Sequence, residues 1–243
     1  MMWRVSDMRK NLFRIILVGL GVIQLVGCAS SAPPRYWHLQ KNKFVEAGEE
    51  THKKTAVCAV EMGRIRVPEP FDRAEIVLNG PSQQIIFSGR EYWVAPFPDV
   101  LAERLANRLT ENFNEKRLQQ KDTPPTTKRQ ETKVIVYPRH QVGLSADWQL
   151  QVTFSQIENR LNHHAAVFSA AVSWTMQGNL SALNRENKQF PASKFKQQLM
   201  QLGVRQESMG VGYESVVDAV GLAVDQIADS IWHDLAELDL CGQ

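Results

Sequence analysis

The clearest hydrophobic pattern in the chain lies near its C-terminal end. Between Tyr213 and Leu238, branched apolar residues recur every three or four positions, at Val217, Val220, Val224, Ile227, Ile231, Leu235 and Leu238. This spacing places the apolar side chains on one face of an α-helix. The pattern therefore predicts a helix of about 26 residues, roughly 39 Å long, whose apolar stripe another layer of the fold must cover.

A shorter helix is predicted after Pro96 and Pro98, beginning near Asp99. Its apolar positions fall on one helical face and are Leu101, Ala102, Leu105, Ala106, Leu109 and Phe113. Its charged and amide positions fall elsewhere on the helix and are Glu103, Arg104, Asn107 and Arg108. This second helix is thus amphipathic, and we expect its charged side chains to face solvent.

Two later segments alternate apolar and polar residues, which predicts half-buried β-strands. The first contains Trp148, Leu150, Val152 and Phe154, and the second spans residues 165–176. Residues 158–164 are expected to form the loop between two antiparallel strands. Residues 193–202 suit either a helix or an outer strand, and we favour a strand because it would extend this pair to three.

Shorter strands are predicted in the N-terminal half, at residues 35–39, 55–67 with a kink at Gly63, 75–78, 83–87 and 133–137. Asn79-Gly80-Pro81-Ser82 separates two of them, which is the chemistry of a hairpin turn. The order of the elements predicts an α/β fold of the α+β kind. We expect a single domain, residues 51–243, with a mixed β-sheet and two main helices packed on one face, the C-terminal helix being the long one.

The chain begins with the pattern of a lipoprotein export signal. A basic start, with Met8 as an alternative first residue, precedes a 12-residue apolar run at 15–26. That run has about the length of a signal-peptide core and is shorter than the roughly 20 residues of a membrane span. A short membrane anchor is the alternative interpretation.

Leu25-Val26-Gly27-Cys28 resembles a bacterial lipobox, in which the cysteine is lipidated and becomes the new N-terminus. We therefore expect residues 1–27 to be a signal peptide and Cys28 to carry fatty acyl chains, which bind a membrane. The residue after it is Ala29 and not the aspartate that retains lipoproteins at the inner membrane. The expected location is therefore the periplasmic face of the outer membrane.

Residues 28–50 are expected to be the lipidated N-terminus and a tether, because Ser30, Ser31, Pro33 and Pro34 follow the cysteine. Apart from Cys28, the chain contains two cysteines, Cys58 and Cys241. An even number of thiols in an oxidising compartment makes these two a candidate disulfide pair. Two unpaired thiols are the alternative.

Composition and charge exclude several classes of protein. The chain has 243 residues, of which 43% are hydrophobic and 22% are charged, as in an ordinary globular protein. The net charge is +2, and the first 27 residues alone carry +3, so the remaining 216 carry about −1. A nearly neutral domain is a poor candidate for nucleic acid binding, which relies on clustered basic charge.

The motifs that mark common enzymes are missing from the sequence: there is no Gly-x-Ser-x-Gly elbow, Walker loop or His-Glu-x-x-His. The pair His163-His164 is expected to be a solvated loop and not a metal site.

Gly210 and Gly212 are expected to provide a hinge and a helix entry. Glu91 lies beside aromatic residues, where a local salt bridge is the simpler explanation. We expect no catalytic residues, no metal and no cofactor other than the covalent lipid.

The order of several segments resembles the ABC-type transport auxiliary lipoprotein family, whose best-known branch is the paraquat-inducible (PqiC-like) lipoproteins. The segments are Arg64-Ile-Arg-Val-Pro68-Glu-Pro-Phe-Asp72-Arg73, then Glu91-Tyr-Trp93-Val-Ala-Pro96, and then the helix from Asp99 to Phe113. Tyr36-Trp37-His38-Leu39, the two alternating strands and the C-terminal helix follow the family order as well. The departures are Phe71 and Phe97, where the family favours leucine, and a longer 178–212 region.

The resemblance implies a non-catalytic lipoprotein of an intermembrane transport system. Its implied partner is a periplasmic protein with MCE domains, which carries lipids or other apolar molecules and is linked to an inner-membrane transporter. A structural or assembly lipoprotein of the envelope is the alternative. The candidate partner-binding residues, in loops 68–73 and 89–96, are Pro68, Asp72, Arg73, Trp93 and Pro96. An aromatic ring between prolines would give a rigid contact. The alternative, which we slightly favour, is that Trp93 is a buried core residue and its prolines shape the helix entry.

Overall fold

The computed structural model describes residues 32–39, 56–119, 132–139, 146–178 and 200–236. The strands in these ranges are β1 (Arg35–Trp37), β2 (Ala56–Met62), β3 (Glu75–Asn79), β4 (Ile85–Trp93), β5 (Thr132–Pro138), β6 (Trp148–Leu161), β7 (Ala165–Gly178) and β8 (Met200–Met209). The two α-helices are α1 (Phe97–Gln119) and α2 (Tyr213–Ala236). Single turns of 3₁₀ helix occur at Glu69–Phe71 and Pro81–Gln83.

The strands form two sheets. The larger sheet has the order β5-β2-β6-β7-β8 and is mixed, because β2 runs parallel to both β5 and β6 while β7 runs antiparallel to both β6 and β8. The smaller sheet has the order β1-β4-β3, with β1 parallel and β3 antiparallel to β4. The predicted mixed α+β architecture is confirmed, and the division of its strands between two sheets is new information.

Both helices pack on one side of the larger sheet. Helix α2 contacts α1, β7 and β8, and α1 also contacts β5. The predicted apolar stripe of α2 is confirmed by its fully buried members Val220, Ile227 and Ile231. Small residues on the same face of the helix, such as Ala219 and Ala223, are also fully buried. They let the helix lie close to the sheet, which gives the domain one continuous core.

The prediction that residues 158–164 form a loop is wrong, because β6 continues to Leu161 and the turn begins only at residue 162. A β-bulge between Phe154 and Gln156 adds one residue to β6 and reverses the alternation. After the bulge, Ile157 and Asn159 are the buried positions. The inward asparagine makes this half of the strand look like a polar loop in the sequence.

The second half of β6 joins the two sheets. The side-chain amide of Asn159 donates a hydrogen bond to the carbonyl of Val77 on β3, at 2.9 Å. The backbone N–H of Asn159 donates in turn to the side-chain oxygen of Asn79, at 2.7 Å. Asn159 is 4% exposed, so water competes little with these bonds. They hold the β3–β4 hairpin against the larger sheet.

The expectation that Arg104 faces solvent needs correction, since its side chain is only 12% exposed. Its guanidinium donates two hydrogen bonds to the carboxylate of Asp225 on α2, at 2.7 and 3.1 Å, and a third to the carbonyl of Leu39. A Cβ at Gly221 would lie 3.4 Å from the guanidinium, so the glycine makes room for the arginine to cross α2. Arg104 therefore links both helices to the segment that follows β1.

The remaining strand predictions are largely confirmed. The edge strand at 35–39 is β1, the segment 55–67 contains β2, and the hairpin is β3 and β4. Strand β8 extends β6 and β7 to three strands, as expected, although it begins at Met200 and continues beyond the predicted segment. Residues 193–199, the signal peptide and most of the tether, including Cys28, lie outside the described residues.

Cys58 lies on β2, is 4% exposed and is disulfide-bonded. Cys28 and Cys241 both lie outside the described residues, so the pair Cys58–Cys241 stays a prediction. Such a bond would tie a central strand of the larger sheet to the end of the chain.

Alkylation of the mature chain in denaturant, without reductant, tests the cysteine assignments. We expect no alkylated cysteine, because the Cys28 sulfur is in a thioether and the other two cysteines are paired. After reduction, Cys58 and Cys241 should each gain one alkyl group in the mass spectrum. Alkylation of Cys241 but not of Cys58 before reduction would instead show that Cys58 pairs with Cys28, which would leave no lipid on that sulfur. Alkylation of both would show two unpaired thiols.

Replacing Arg104 tests its linking role. Arg104→Ala leaves the buried Leu39 carbonyl and the Asp225 carboxylate without their donor, so we expect a loss of about 2 kcal/mol in the free energy of unfolding. Urea unfolding of the mature chain in detergent, followed by tryptophan fluorescence, measures it. The matched control is Arg108→Ala, one turn further along α1, whose side chain is 34% exposed; there we expect less than about 1 kcal/mol. Equal losses would contradict the assignment.

Candidate functional site

The two loops that carry the predicted partner-binding residues lie side by side. The backbone N–H of Trp93 donates to the carbonyl of Ala74 at 2.7 Å, and that of Phe97 donates to the carbonyl of Arg73 at 2.9 Å. These bonds join the end of β4 to the segment before β3. We call residues 68–73 and 94–96 together the loop pair.

The prediction that Trp93 offers its ring to a partner needs correction. Trp93 is 3% exposed and stacks on Phe97, which is equally buried, with ring centroids 5.2 Å apart. The alternative interpretation of a core residue therefore describes its position. Its ring supports the loop pair from the protein interior, and Pro96 beside it is exposed.

The other predicted residues lie at or near the surface of the loop pair. Asp72 is exposed, and its two carboxylate oxygens accept hydrogen bonds from one guanidinium nitrogen of Arg64, at 2.9 and 3.1 Å. The guanidinium of Arg73 lies 4.4 Å from the ring centroid of Phe87, a cation–π geometry. Pro68 is half-buried and begins the 3₁₀ turn at Glu69–Phe71. An exposed ion pair adds little stability, so these side chains remain available to a partner.

Glu91 is the buried charged residue of this region, with 4% exposure. Its carboxylate accepts hydrogen bonds from the Nε of Arg35, at 2.8 Å, and from the indole N–H of Trp37, at 2.7 Å. A second nitrogen of Arg35 also contacts it. The predicted salt bridge at Glu91 thus exists, but its partner is on β1 and not in a neighbouring loop.

Sequence reasoning missed Arg35 as a functional residue because 56 positions separate it from Glu91. The signal was present in the alternation of the two strands. Parallel pairing aligns Arg35 with Glu91 and Trp37 with Trp93, so the four side chains share one side of the smaller sheet. The sequence contains Arg35-x-Trp37 and Glu91-x-Trp93, in which the charged residue and the tryptophan have the same spacing. This shared spacing indicates the register that the two strands adopt.

The phenol of Tyr213, at the start of α2, lies near this ion pair. Burial raises the pKa of Tyr213, the charge of Glu91 raises it further, and Arg35 partly offsets the rise. The preceding turn uses Gly210 and Gly212 at φ of 151° and 91°, which favour glycine. The expected helix entry is confirmed, and the expected hinge stays a prediction. The first strand, the hairpin and the long helix therefore converge around Glu91.

The other candidate groups that the sequence offered lie apart from the loop pair. His163 and His164 are exposed in the turn between β6 and β7. The described residues contain no group of three or more His, Cys, Asp or Glu placed to hold a metal ion. None of the helices in the described ranges has both the length and the apolar character needed to cross a membrane.

An open groove of about 770 Å³ lies between the tip of the β3–β4 hairpin and strands β6, β7 and β8. Its lining is mainly polar or small and includes Asn79, Gln83, Glu158, Ser169, Gly203 and Arg205. A carrier of lipid needs a contiguous apolar cavity, which this lining does not provide.

Removing Arg35 tests the ion pair that attaches β1. In Arg35→Ala the Glu91 carboxylate stays buried with Trp37 as its remaining donor, so we expect a loss of about 1–3 kcal/mol in the free energy of unfolding. Faster proteolytic cleavage near β1 should accompany it. The matched control is Arg64→Ala, because Arg64 has similar exposure but pairs with an exposed carboxylate.

The second change in this test is Glu91→Gln in the Arg35→Ala background, which removes the uncompensated charge. We expect it to restore part of the lost stability, because a neutral amide costs less to bury than a carboxylate. A loss in Arg35→Ala that equals the control and does not respond to Glu91→Gln would show that the ion pair does not hold β1.

Comparison with solved structures identifies the fold. The chain aligns with a structure described as an uncharacterized protein at a TM-score of 0.52 and 15% sequence identity, covering 84% of this chain and 99% of the other. A protein from Xanthomonas campestris, placed in a domain family of unknown function, aligns at a TM-score of 0.47 and 10% identity, covering 73% and 83% of the two chains. A putative lipoprotein from Caulobacter crescentus aligns at 0.31 and 13%, covering 58% and 83%.

Comparison of the sequence identifies the family. No curated protein matches the chain at a significant level. The family model described as "ABC-type transport auxiliary lipoprotein component" matches residues 43–232. This match spans more than half of the chain and includes the loop pair, Glu91, all of α1 and most of α2. The chain therefore belongs to the ABC-type transport auxiliary lipoprotein family.

Proposed function

We propose that this protein is a non-catalytic lipoprotein of the outer membrane that docks a periplasmic conduit of an intermembrane transport system. The conduit is a protein with MCE domains, linked to a transporter in the inner membrane, and its cargo is a lipid or another apolar molecule. The family match over residues 43–232 carries this proposal, because it describes an auxiliary component of ABC-type transport.

The proposed anchor is the covalent lipid on Cys28. Each buried methylene group contributes roughly 0.8 kcal/mol to membrane binding, so several acyl chains hold a protein at a bilayer almost permanently. Ala29 directs the lipoprotein to the outer membrane by the sorting rule described above. Seven positions separate Cys28 from Arg35, the first residue of β1. The domain would therefore stay close to the bilayer surface.

The proposed docking surface is the loop pair. Its backbone is fixed by hydrogen bonds to β1, from Val94 to Trp37, and to α1, from Phe97 to Arg73, and the buried ring of Trp93 supports it. A surface that is already ordered loses little conformational entropy on binding. Pro96 and the exposed ion pair of Asp72 with Arg64 would supply rigid apolar area and complementary charge. The buried polar clusters of the domain are used to hold its elements together, which supports binding and not catalysis.

Crosslinking in living cells, followed by affinity purification and mass spectrometry, tests the proposed partner. We expect the full-length lipidated protein to recover a periplasmic MCE-type protein. We also expect Cys28→Ala to lose it, because the released domain no longer stays at the membrane. Recovery of peptidoglycan-linked or barrel-assembly proteins alone would contradict the proposal and support a structural or assembly lipoprotein.

The docking surface is tested by placing a photocrosslinking amino acid at Asp72 or at Pro96. We expect both positions to crosslink to the MCE-type protein. The matched control is Leu222 on α2, which is 45% exposed and lies outside the loop pair. Crosslinks from Leu222 alone would show that the partner binds at the helices.

A further inference from the structure

The tip of the β3–β4 hairpin exposes apolar side chains. Every residue from Pro81 to Phe87 is exposed, and we call these residues the hairpin tip. Its last three residues, Ile85, Ile86 and Phe87, are 37%, 42% and 45% exposed. Successive side chains of a strand point to opposite faces, so the tip is exposed to solvent on both faces of the strand. Three consecutive exposed apolar residues on a projecting strand are typical of an interaction surface.

The charge of the hairpin favours a lipid surface as its occupant. Between Glu75 and Glu91 the sequence contains no acidic residue, and its one charged residue is the exposed Arg90. The guanidinium of Arg73 lies over Phe87 and also 3.9 Å from the carboxylate of Glu75, so the unbalanced positive charge beside the apolar strand is that of Arg90. Apolar side chains with an arginine at their border match the boundary between acyl chains and phospholipid headgroups, where arginine meets phosphate.

The backbone of the tip is already fixed in the free domain. Gly80 donates to the carbonyl of Gln84 at 2.8 Å, and Gln84 donates to that of Pro81. Ser82 and Gln83 have φ of 57° and 63°, a left-handed conformation that is costly for residues other than glycine. The turn therefore presents the apolar residues in one arrangement, and binding would not have to order them.

The length of the tether places the tip within reach of the bilayer. Seven extended residues span at most about 25 Å, which limits the distance between the Cys28 lipid and Arg35. Strand β1 pairs directly with Glu91–Trp93 of β4, the same strand that begins in the tip. The exposed ring of Tyr36, 65% accessible and 5.8 Å from that of Tyr92, adds an amphipathic aromatic pair beside the tether.

We propose that the hairpin tip inserts into the headgroup region of the phospholipid leaflet that holds the Cys28 lipid. Ile85, Ile86 and Phe87 would contact the acyl boundary, and Arg90 would contact a phosphate. The lipid and the tip then form two attachment points, which set the orientation of the domain on the membrane. This inference rests on the lipid anchor of the proposed function, but it does not depend on the MCE partner.

The test uses the full-length lipidated protein in vesicles of phosphatidylethanolamine and phosphatidylglycerol at three to one. Ile86→Cys is labelled with the environment-sensitive dye NBD, and the label is quenched either by a spin-labelled phospholipid or by aqueous iodide. The matched control is Leu222→Cys on α2, whose residue has nearly the same exposure as Ile86. Ile85→Cys provides a second reading if the first variant folds poorly.

We expect the lipid quencher to reduce the fluorescence of the hairpin label at least twofold more than that of the control label. Aqueous iodide should quench the control label more than the hairpin label. Equal lipid quenching at the two positions would overturn the inference. Protection of the hairpin label from both quenchers would also overturn it, since a second copy or another protein would then cover the tip.

The mass of the N-terminal peptide separates this test from that of the proposed function. A peptide without acyl chains shows that the anchor is absent, which contradicts both proposals. A lipidated peptide with a quenched hairpin label supports the membrane contact even if no MCE-type protein is captured. A lipidated peptide with an unquenched label removes only the present inference.

Discussion

The buried carboxylate of Glu91 is the constraint on which the arrangement of this domain depends. A carboxylate that is 4% exposed is costly unless donors surround it, and its donors Arg35 and Trp37 both belong to β1. Strand β1 has only three residues, too few to form a stable edge by backbone pairing alone. The ion pair therefore explains why so short a strand stays on β4, and it fixes where the chain from the expected lipid enters the domain.

The same β4 strand connects the other parts of the molecule. It begins in the hairpin tip, carries Glu91 in its second half, and ends at Trp93 beneath the loop pair. Its partner β3 is attached to the larger sheet by Asn159, and Arg104 attaches the segment after β1 to both helices. These buried polar contacts lie at the junctions between layers, where apolar packing alone gives little preference for one register over another.

The sequence predicted the parts of the fold that follow from a regular apolar period. Helix α2 and strands β6 and β7 were recognised because their buried residues repeat at fixed spacing. Prediction failed where a polar residue occupies a buried position. Because of Asn159, the second half of β6 was predicted to be a loop. Arg104 was predicted to face solvent, and Glu91 was predicted to form a local salt bridge. A side chain whose partner lies far along the chain has no local signature in the sequence. Trp93 shows the converse, since prolines around a ring do not reveal which side of the strand it faces.

An attachment through one flexible tether leaves a domain free to rotate above the membrane, and a partner that docks on one face must then select the correct orientation. Only the fraction of the protein in the correct orientation can then bind the partner, which lowers the apparent affinity for that partner. A second contact close to the anchor removes part of this cost before the partner arrives. Because β4 runs from the hairpin tip to the loop pair without interruption, and Glu91 holds β1 beside it, an orientation set at the bilayer would be transmitted to the proposed docking surface by a hydrogen-bonded sheet. If the domain receives a conduit at a membrane, as proposed, this rigidity would be a physical advantage that a freely jointed domain would lack.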